Sequence, residues 1–212
     1  MSQIELPQGL LPILDETHAG GMSTVEIIES FIDAEAYPFI VHHNGLSKIE
    51  YADYIQAISL LKEEMDFEYL LHHHVDRMPL SGALGIHLTP KSMPIQQTRE
   101  TIGPGQFIGY SAYSLDESLK AEDAGADYVL LGHIFAAPKE KPFQPVLGIE
   151  ELTKTCTRLS IPVYAIGGIN TENLIRIKDT GAAGFTSLRA VYEDNEIDHN
   201  IAFLKVLWEE LD

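Results

Sequence analysis

Basic residues are scarce in this chain. Lysine and arginine together number 14 against 32 aspartates and glutamates, a formal charge of -18 at pH 7. A surface that acidic repels nucleic acid and anionic lipid, so neither is expected as a partner. Any anionic small molecule must then be held by donors placed locally, against the mean field. Cysteine is almost missing: Cys156 stands alone, which excludes an internal disulfide and suits a reducing compartment. No stretch approaches the ~18 consecutive apolar residues of a membrane span. The opening "MSQIELPQGLLPILDETH" lacks a basic region followed by an apolar core and a cleavage site, so a cytoplasmic location is expected. No low-complexity tract or polar linker divides the sequence. With 212 residues, 45% of them hydrophobic, one domain over 1–212 can bury a sizeable core.

What is present is a repeating pattern. Short aliphatic runs alternate with amphipathic stretches of helical period. Strands are expected at Leu10–Leu14, Pro38–His42, Tyr69–His72, Gly85–Leu88, Phe107–Tyr110, Tyr128–Gly132, Pro162–Ile166 and Gly184–Leu188. Helices are expected to begin near Thr24, Ile49, Pro94, Ser114, Ile149, Thr171 and Glu196, with one or two turns between Val75 and Gly82. Ser114 with Glu117 has capping-box spacing, and Asn170 offers an N-cap. This alternation predicts the α/β class and a single (β/α)8 TIM barrel. An open doubly wound sheet is the rival, but "LDETHAGG" is not the GxGxxG turn that such a sheet carries after its first strand.

In such a barrel the residues just past each strand face the active site. Here they are Asp15 and Glu16; His42, His43 and Asn44; His72, His73 and His74; His87 and Thr89; Ser111; His133; Gly167 and Gly168; Ser187 and Arg189. The rim gathers seven of the nine histidines, the side chain that exchanges protons most readily near neutral pH. "IPVYAIGGIN" ends a buried strand in Gly167-Gly168, where backbone N–H groups can approach an oxyanion and a following helix would favour negative charge. Arg189 would add a forked cation. "GADYVLLGHIFAAPKEKPF" stops a greasy strand at Gly132 and presents His133, and the loop behind it brings Lys139 and Lys141 toward a bound anion.

From Gly85 to Tyr192 the sequence resembles the thiamine phosphate synthase / TenI family of (β/α)8 barrels. "GIHLTPKSM", "IGYSAYSLDESLKAEDAGADYVLLGHIF", "IPVYAIGGINTENL" and "GAAGFTSLRAVY" carry the likeness. For the synthase branch the resemblance implies transfer of a pyrimidine from its pyrophosphate to a thiazole phosphate. It also implies a Gln-x-Arg-x-Lys strand, an Asn-Asp and a further Asp, the acids serving Mg²⁺. Here "FIVHHNG", "LHHHVDR" and "GIHLTPKSM" put His43 and Gly45 at the basic positions, a His-His at the Asn-Asp and Ser92 at the further Asp. Magnesium is expected only if the synthase reading holds; otherwise no cofactor or metal is. The TenI branch reads "ADYVLFGH" where this chain has "ADYVLLGH". That likeness implies a thiazole tautomerase, with His133 as proton carrier on a carboxythiazole phosphate. Gly167, Gly168, Ser187 and Arg189 would hold the phosphate, with Ser111, Lys139, Lys141, His43, His72 and His87 about the substrate.

The tautomerase is the main expectation, the synthase the alternative. Two further alternatives stand. A metal-dependent barrel enzyme would use His42, His72 or His74, and His87, with Asp15 or Asp76 completing the shell. A non-catalytic binder would keep the glycine grip alone. A small phosphorylated heterocycle is the expected partner, and the resemblance leaves room for a homo-oligomer.

Overall fold

The computed structural model of the chain describes residues 6–43, 45–136 and 145–210. Its strands are short, two to six residues each. They are β1 (Gly9–Leu10), β2 (Ile13–Leu14), β3 (Phe39–Val41), β4 (Tyr69–His72), β5 (Gly85–Leu88), β6 (Phe107–Ala112), β7 (Tyr128–Gly132), β8 (Val163–Ile166) and β9 (Gly184–Thr186). Every pairing is parallel, in the order β1-β9-β8-β7-β6-β5-β4-β3-β2. The expected first strand is interrupted at Leu11-Pro12. Leu11 donates to Phe185 O on one side, and Pro12, which has no N–H, accepts from Ile40 N on the other. The single expected strand therefore becomes two pieces that serve opposite ends of the sheet.

The helices cross between strands: α1 (Thr24–Asp33), α2 (Lys48–Glu64), α3 (Met78–Ser81), α4 (Ile95–Ile102), α5 (Leu115–Asp123), α6 (Gly148–Arg158), α7 (Ile175–Lys178), α8 (Leu188–Val191) and α9 (Ile197–Glu210). Capping boxes start two of them, Ser23 with Glu26 on α1 and Ser47 with Glu50 on α2, each worth about 1 kcal/mol. Ser114 caps α5 through Glu117 N as expected, but the Glu117 carboxylate accepts from Tyr113 N instead of closing the box. Asn170 accepts from Glu172 N and Asn173 N in a turn, and α7 begins only at Ile175. The last strand stops two residues earlier than expected, because Ser187 becomes the cap of α8.

Alternation along the strands separates two cores. One set of alternate residues, such as Val41, Leu71, Ile86, Val129 and Phe185, joins the large cluster under the helices. The other set, Ile40, Leu70, Tyr128, Leu130 and Tyr164, fills a second cluster on the opposite face with Leu11. Two residues past Ile40 and Leu70, at His42 and His72, this inner face turns polar, which creates the site. Gly109 makes room for one large inner residue: a Cβ there would enter the Tyr128 ring. Gly109→Ala is expected to lower stability by about 1–3 kcal/mol, read as a smaller urea midpoint at unchanged slope.

Candidate active site

The register fixes the site. Leu14 pairs with Val41, Val41 with Leu71, and His72 with His87. One step on, Asp15, His42, His72 and His87 stand side by side across four neighbouring strands, on the face that holds Ile13, Ile40 and Leu70. Asp15 Oδ2 lies 3.0 Å from His42 Nδ1. The His42 and His72 rings are 4.7 Å apart, and those of His72 and His87 lie near-parallel at 6.0 Å. His87 ends the row between two hydroxyls, Tyr128 at Nδ1 (3.0 Å) and Ser111 at Nε2 (2.8 Å).

Charge within the row is set by burial. Desolvation would raise the Asp15 carboxyl, but hydrogen bonds from His42 and Thr17 outweigh it and hold the group well below the usual carboxylate range. Thr17 supplies both its N–H (2.9 Å) and its hydroxyl (2.5 Å) to Oδ1. Tyr192 clamps the same segment, accepting from Asp15 N and donating to Ile13 O, each at 3.0 Å. His72 is pushed far below the ordinary imidazole range by burial, then by His73, His87 and His42. His87 falls to about 3, by burial first and then by His73 and His42. Two neutral imidazoles thus line the floor beside one ionised carboxylate.

The other rim residues divide. His133 follows β7 and lies against Gly167, where a Cβ would come within 2.5 Å of its Nδ1. Gly168 faces the carbonyls of Phe135 and Ala136 at 2.7 and 2.8 Å in the same sense. Phe135 N donates to Gly167 O. The glycine pair therefore admits the backbone of residues 133–136, a packing role the sequence reading did not foresee. The helix expected directly behind it is replaced by a turn. Ser187 ties this loop to the next by donating to Ile169 O (2.7 Å). Arg189 is the second residue of α8 and exposed. Thr186 Oγ1, fully buried on the inner face beside Ile166, has no hydrogen-bond partner among the described residues. Lys139, Lys141 and Asn44 lie outside the described residues.

Two of the rim histidines face elsewhere. His43 packs edge-on against Tyr54, with Nε2 3.8 Å from Glu16; the strand alternation that turns His42 inward turns it out. His74 stacks on Tyr51 at 3.9 Å. His73 and His74 both take left-handed backbone (φ 63° and 40°), a conformation that favours functional sites when it occurs in bulky residues. They line a cavity of about 420 Å³ with Val75, Asp76, Lys91, Ser92 and Met93. The sequence reading also missed His18, 3.5 Å from Asp15 Oδ2, and the hydroxyls of Tyr128 and Tyr192.

The donor chemistry does not fit Mg²⁺. That ion takes an octahedron of oxygens, whereas a His-His within His72–His74 stands where the family pattern implies Asn-Asp, and Ser92 where it implies the further Asp. His73 Nδ1 is itself engaged by Ser92 Oγ at 2.5 Å. Among the described residues no group of three or more His, Cys, Asp or Glu is placed to hold a metal ion.

Parallel strands with polar side chains gathered past their C-terminal ends define an α/β protein of the TIM-like class. The chain belongs to the thiamine monophosphate synthase family (TMP-TENI), whose profile matches residues 10–191. It is 31% identical over 192 residues to a thiamine-phosphate synthase of Caldanaerobacter subterraneus subsp. tengcongensis, covering 90% of this chain and 89% of that one. Its identity to the thiamine-phosphate synthase of Chlorobium phaeovibrioides is 39% over 137 residues, 64% of this chain and 65% of the other. The solved thiamine phosphate pyrophosphorylase of Pyrococcus furiosus superposes with a TM-score of 0.83 at 29% identity, covering 96% of both chains. These names favour the synthase alternative over the tautomerase that was the main expectation. Among the described residues no helix is long and apolar enough to cross a membrane.

The buried row predicts acid sensitivity. An unfolded histidine titrates near 6.5 and His87, faced by Tyr128, Ser111, His72, His73 and His42, near 3, so the unfolded state takes up its proton first as pH falls. Stability from this group is complete above pH ~6.5 and lost between there and ~3, about 2 kcal/mol of it by pH 5. Urea unfolding at pH 7 and pH 5 is expected to show that loss, and His87→Gln to diminish it.

Proposed function

We propose that this chain is a transferase of the thiamine-phosphate-synthase type, joining a pyrimidine from its diphosphate to a thiazole phosphate. The observation that carries the reading is the near-complete superposition on the pyrophosphorylase of Pyrococcus furiosus, supported by curated relatives named for the same activity over most of the chain. The scaffold in this proposal is one domain, a closed (β/α)8 barrel whose first strand is split; β1 against β9 and β2 against β3 support closure. The thiazole phosphate sits over the loops after β8 and β9. Gly167, Gly168, Ser187 and Arg189 surround it, with the unpaired Thr186 hydroxyl beneath. The pyrimidine and its diphosphate lie toward Ser111, His87, His72 and the row ending at Asp15. No step is routed through Mg²⁺, because the imidazoles and hydroxyls present do not suit that ion.

A second reading keeps one observation in its favour. His133 stands at the mouth against Gly167, where an imidazole would serve a proton shift on a carboxythiazole phosphate.

Incubation with thiazole phosphate and the pyrimidine diphosphate, with and without Mg²⁺, is expected to release thiamine phosphate and inorganic diphosphate in equal amounts. Arg189→Ala should raise the KM for thiazole phosphate roughly tenfold, the value of one charge-assisted contact. Wild-type protein that makes no thiamine phosphate but isomerises the carboxythiazole phosphate would overturn the transferase in favour of the second reading.

A further inference from the structure

Asp15 and His42 form a carboxylate–imidazole pair at the mouth of the inner face. Asp15 is only 3% exposed, and Oδ1 is filled by Thr17 through two hydrogen bonds. Its other oxygen, Oδ2, takes His42 Nδ1–H at 3.0 Å. That bond fixes the ring and leaves Nε2 as the nitrogen free to exchange a proton, the arrangement by which a buried carboxylate orients an imidazole and stabilises its cation. The His42 side chain keeps 20% of its surface exposed, so solvent can return the proton. Glu16 and His18 come from the segment after β2, His43 from its own strand end, His72 and His73 from β4, and His87 from β5. His72 and His87 stay neutral through burial, so the ionised Asp15 is the group that decides the charge His42 sees at contact distance.

We infer that His42, oriented by Asp15, is the proton donor to the departing diphosphate, where a divalent cation would otherwise neutralise that group. This rests on the transferase reading above. In the step, the C–O bond between the pyrimidine methylene and the diphosphate breaks, with its electron pair staying on oxygen. The lone pair of the thiazole ring nitrogen forms the new C–N bond. The Nε2 proton of the imidazolium moves to the diphosphate oxygen, leaving neutral His42 hydrogen-bonded to Asp15 carboxylate, and a solvent proton restores it. Asp15 is the positioning residue and His42 the catalytic one. The row explains why the chain can place imidazoles where the family pattern implies acids: the leaving charge is met by a proton instead of a metal.

Steady-state kinetics with EDTA present test this. His42→Asn is expected to lower kcat roughly 100-fold, within the usual range for general acid catalysis, with the KM for the pyrimidine diphosphate within about threefold of wild type. Asp15→Asn should lower kcat roughly tenfold and move the basic limb of the kcat/KM profile to lower pH. With the chloromethyl pyrimidine, whose chloride leaves without a proton, both variants should match wild type. Near-UV circular dichroism guards against misfolding, and His42→Asn decides alone if Asp15→Asn does not fold. Retention of kcat by His42→Asn, an equal loss with both leaving groups, or strict dependence of wild type on Mg²⁺ would each overturn the role. Wild type that makes no thiamine phosphate under any condition would instead overturn the transferase reading beneath it, and the two failures are told apart by that control.

Discussion

The parallel register of β2 to β5 is the constraint on which the site depends. In a parallel sheet laterally paired residues point to the same face, so Ile13, Ile40 and Leu70 commit Asp15, His42 and His72 to the inner side two residues later. A slip of one residue on β3 would exchange His42 for His43 and separate the imidazole from Asp15. The apolar inner cluster therefore does more than stabilise the sheet. It indexes four polar side chains, contributed by residues 72 positions apart in sequence, into one row. Tyr192 reaches across from the far end of the chain to fasten Asp15 N and Ile13 O, so the row's first member is held at both backbone and side chain.

Burial then divides the chemistry along that row. The same inner face that keeps His72 and His87 neutral keeps Asp15 ionised, because Asp15 is given donors on both oxygens while the histidines are given hydroxyls or one another. A chain with a formal charge of -18 gains no help from its surface in attracting an anion. Attraction has to come from a few donors at the mouth, and those facing the row are imidazole and hydroxyl, which transfer or share protons. This is the opposite of the oxygen-rich shell that Mg²⁺ prefers, and it ties the departure in sequence to a departure in chemistry.

Much of the fold was legible because the strands are buried on both faces and flanked by glycine, proline and caps. Tyr69–His72, Gly85–Leu88 and Tyr128–Gly132 match their expected bounds. The expected first strand failed at Leu11-Pro12, where proline's missing N–H lets the chain pass from one neighbour to the other. The ends of the last strand and of the turn before α7 failed because Ser187 and Asn170 were claimed by local caps. Of the site, the rim position of the histidines was readable from strand ends. Which of them converge was not, since His42 and His43 differ only in the parity of one step, and that parity is set by pairing with Leu14 and Leu71. The glycine pair was read as an anion cradle, yet its space is shared with the backbone of residues 133–136. That contact joins two loops over thirty positions apart, and composition has no access to it.

Side-chain ¹⁵N NMR of histidine-labelled protein at pH 7 tests the row directly. The account predicts a protonated Nδ1 on His42 that depends on Asp15, and single neutral tautomers for His72 and His87. A His72 or His87 with both nitrogens protonated at that pH, or a His42 spectrum unchanged by Asp15→Asn, would contradict it.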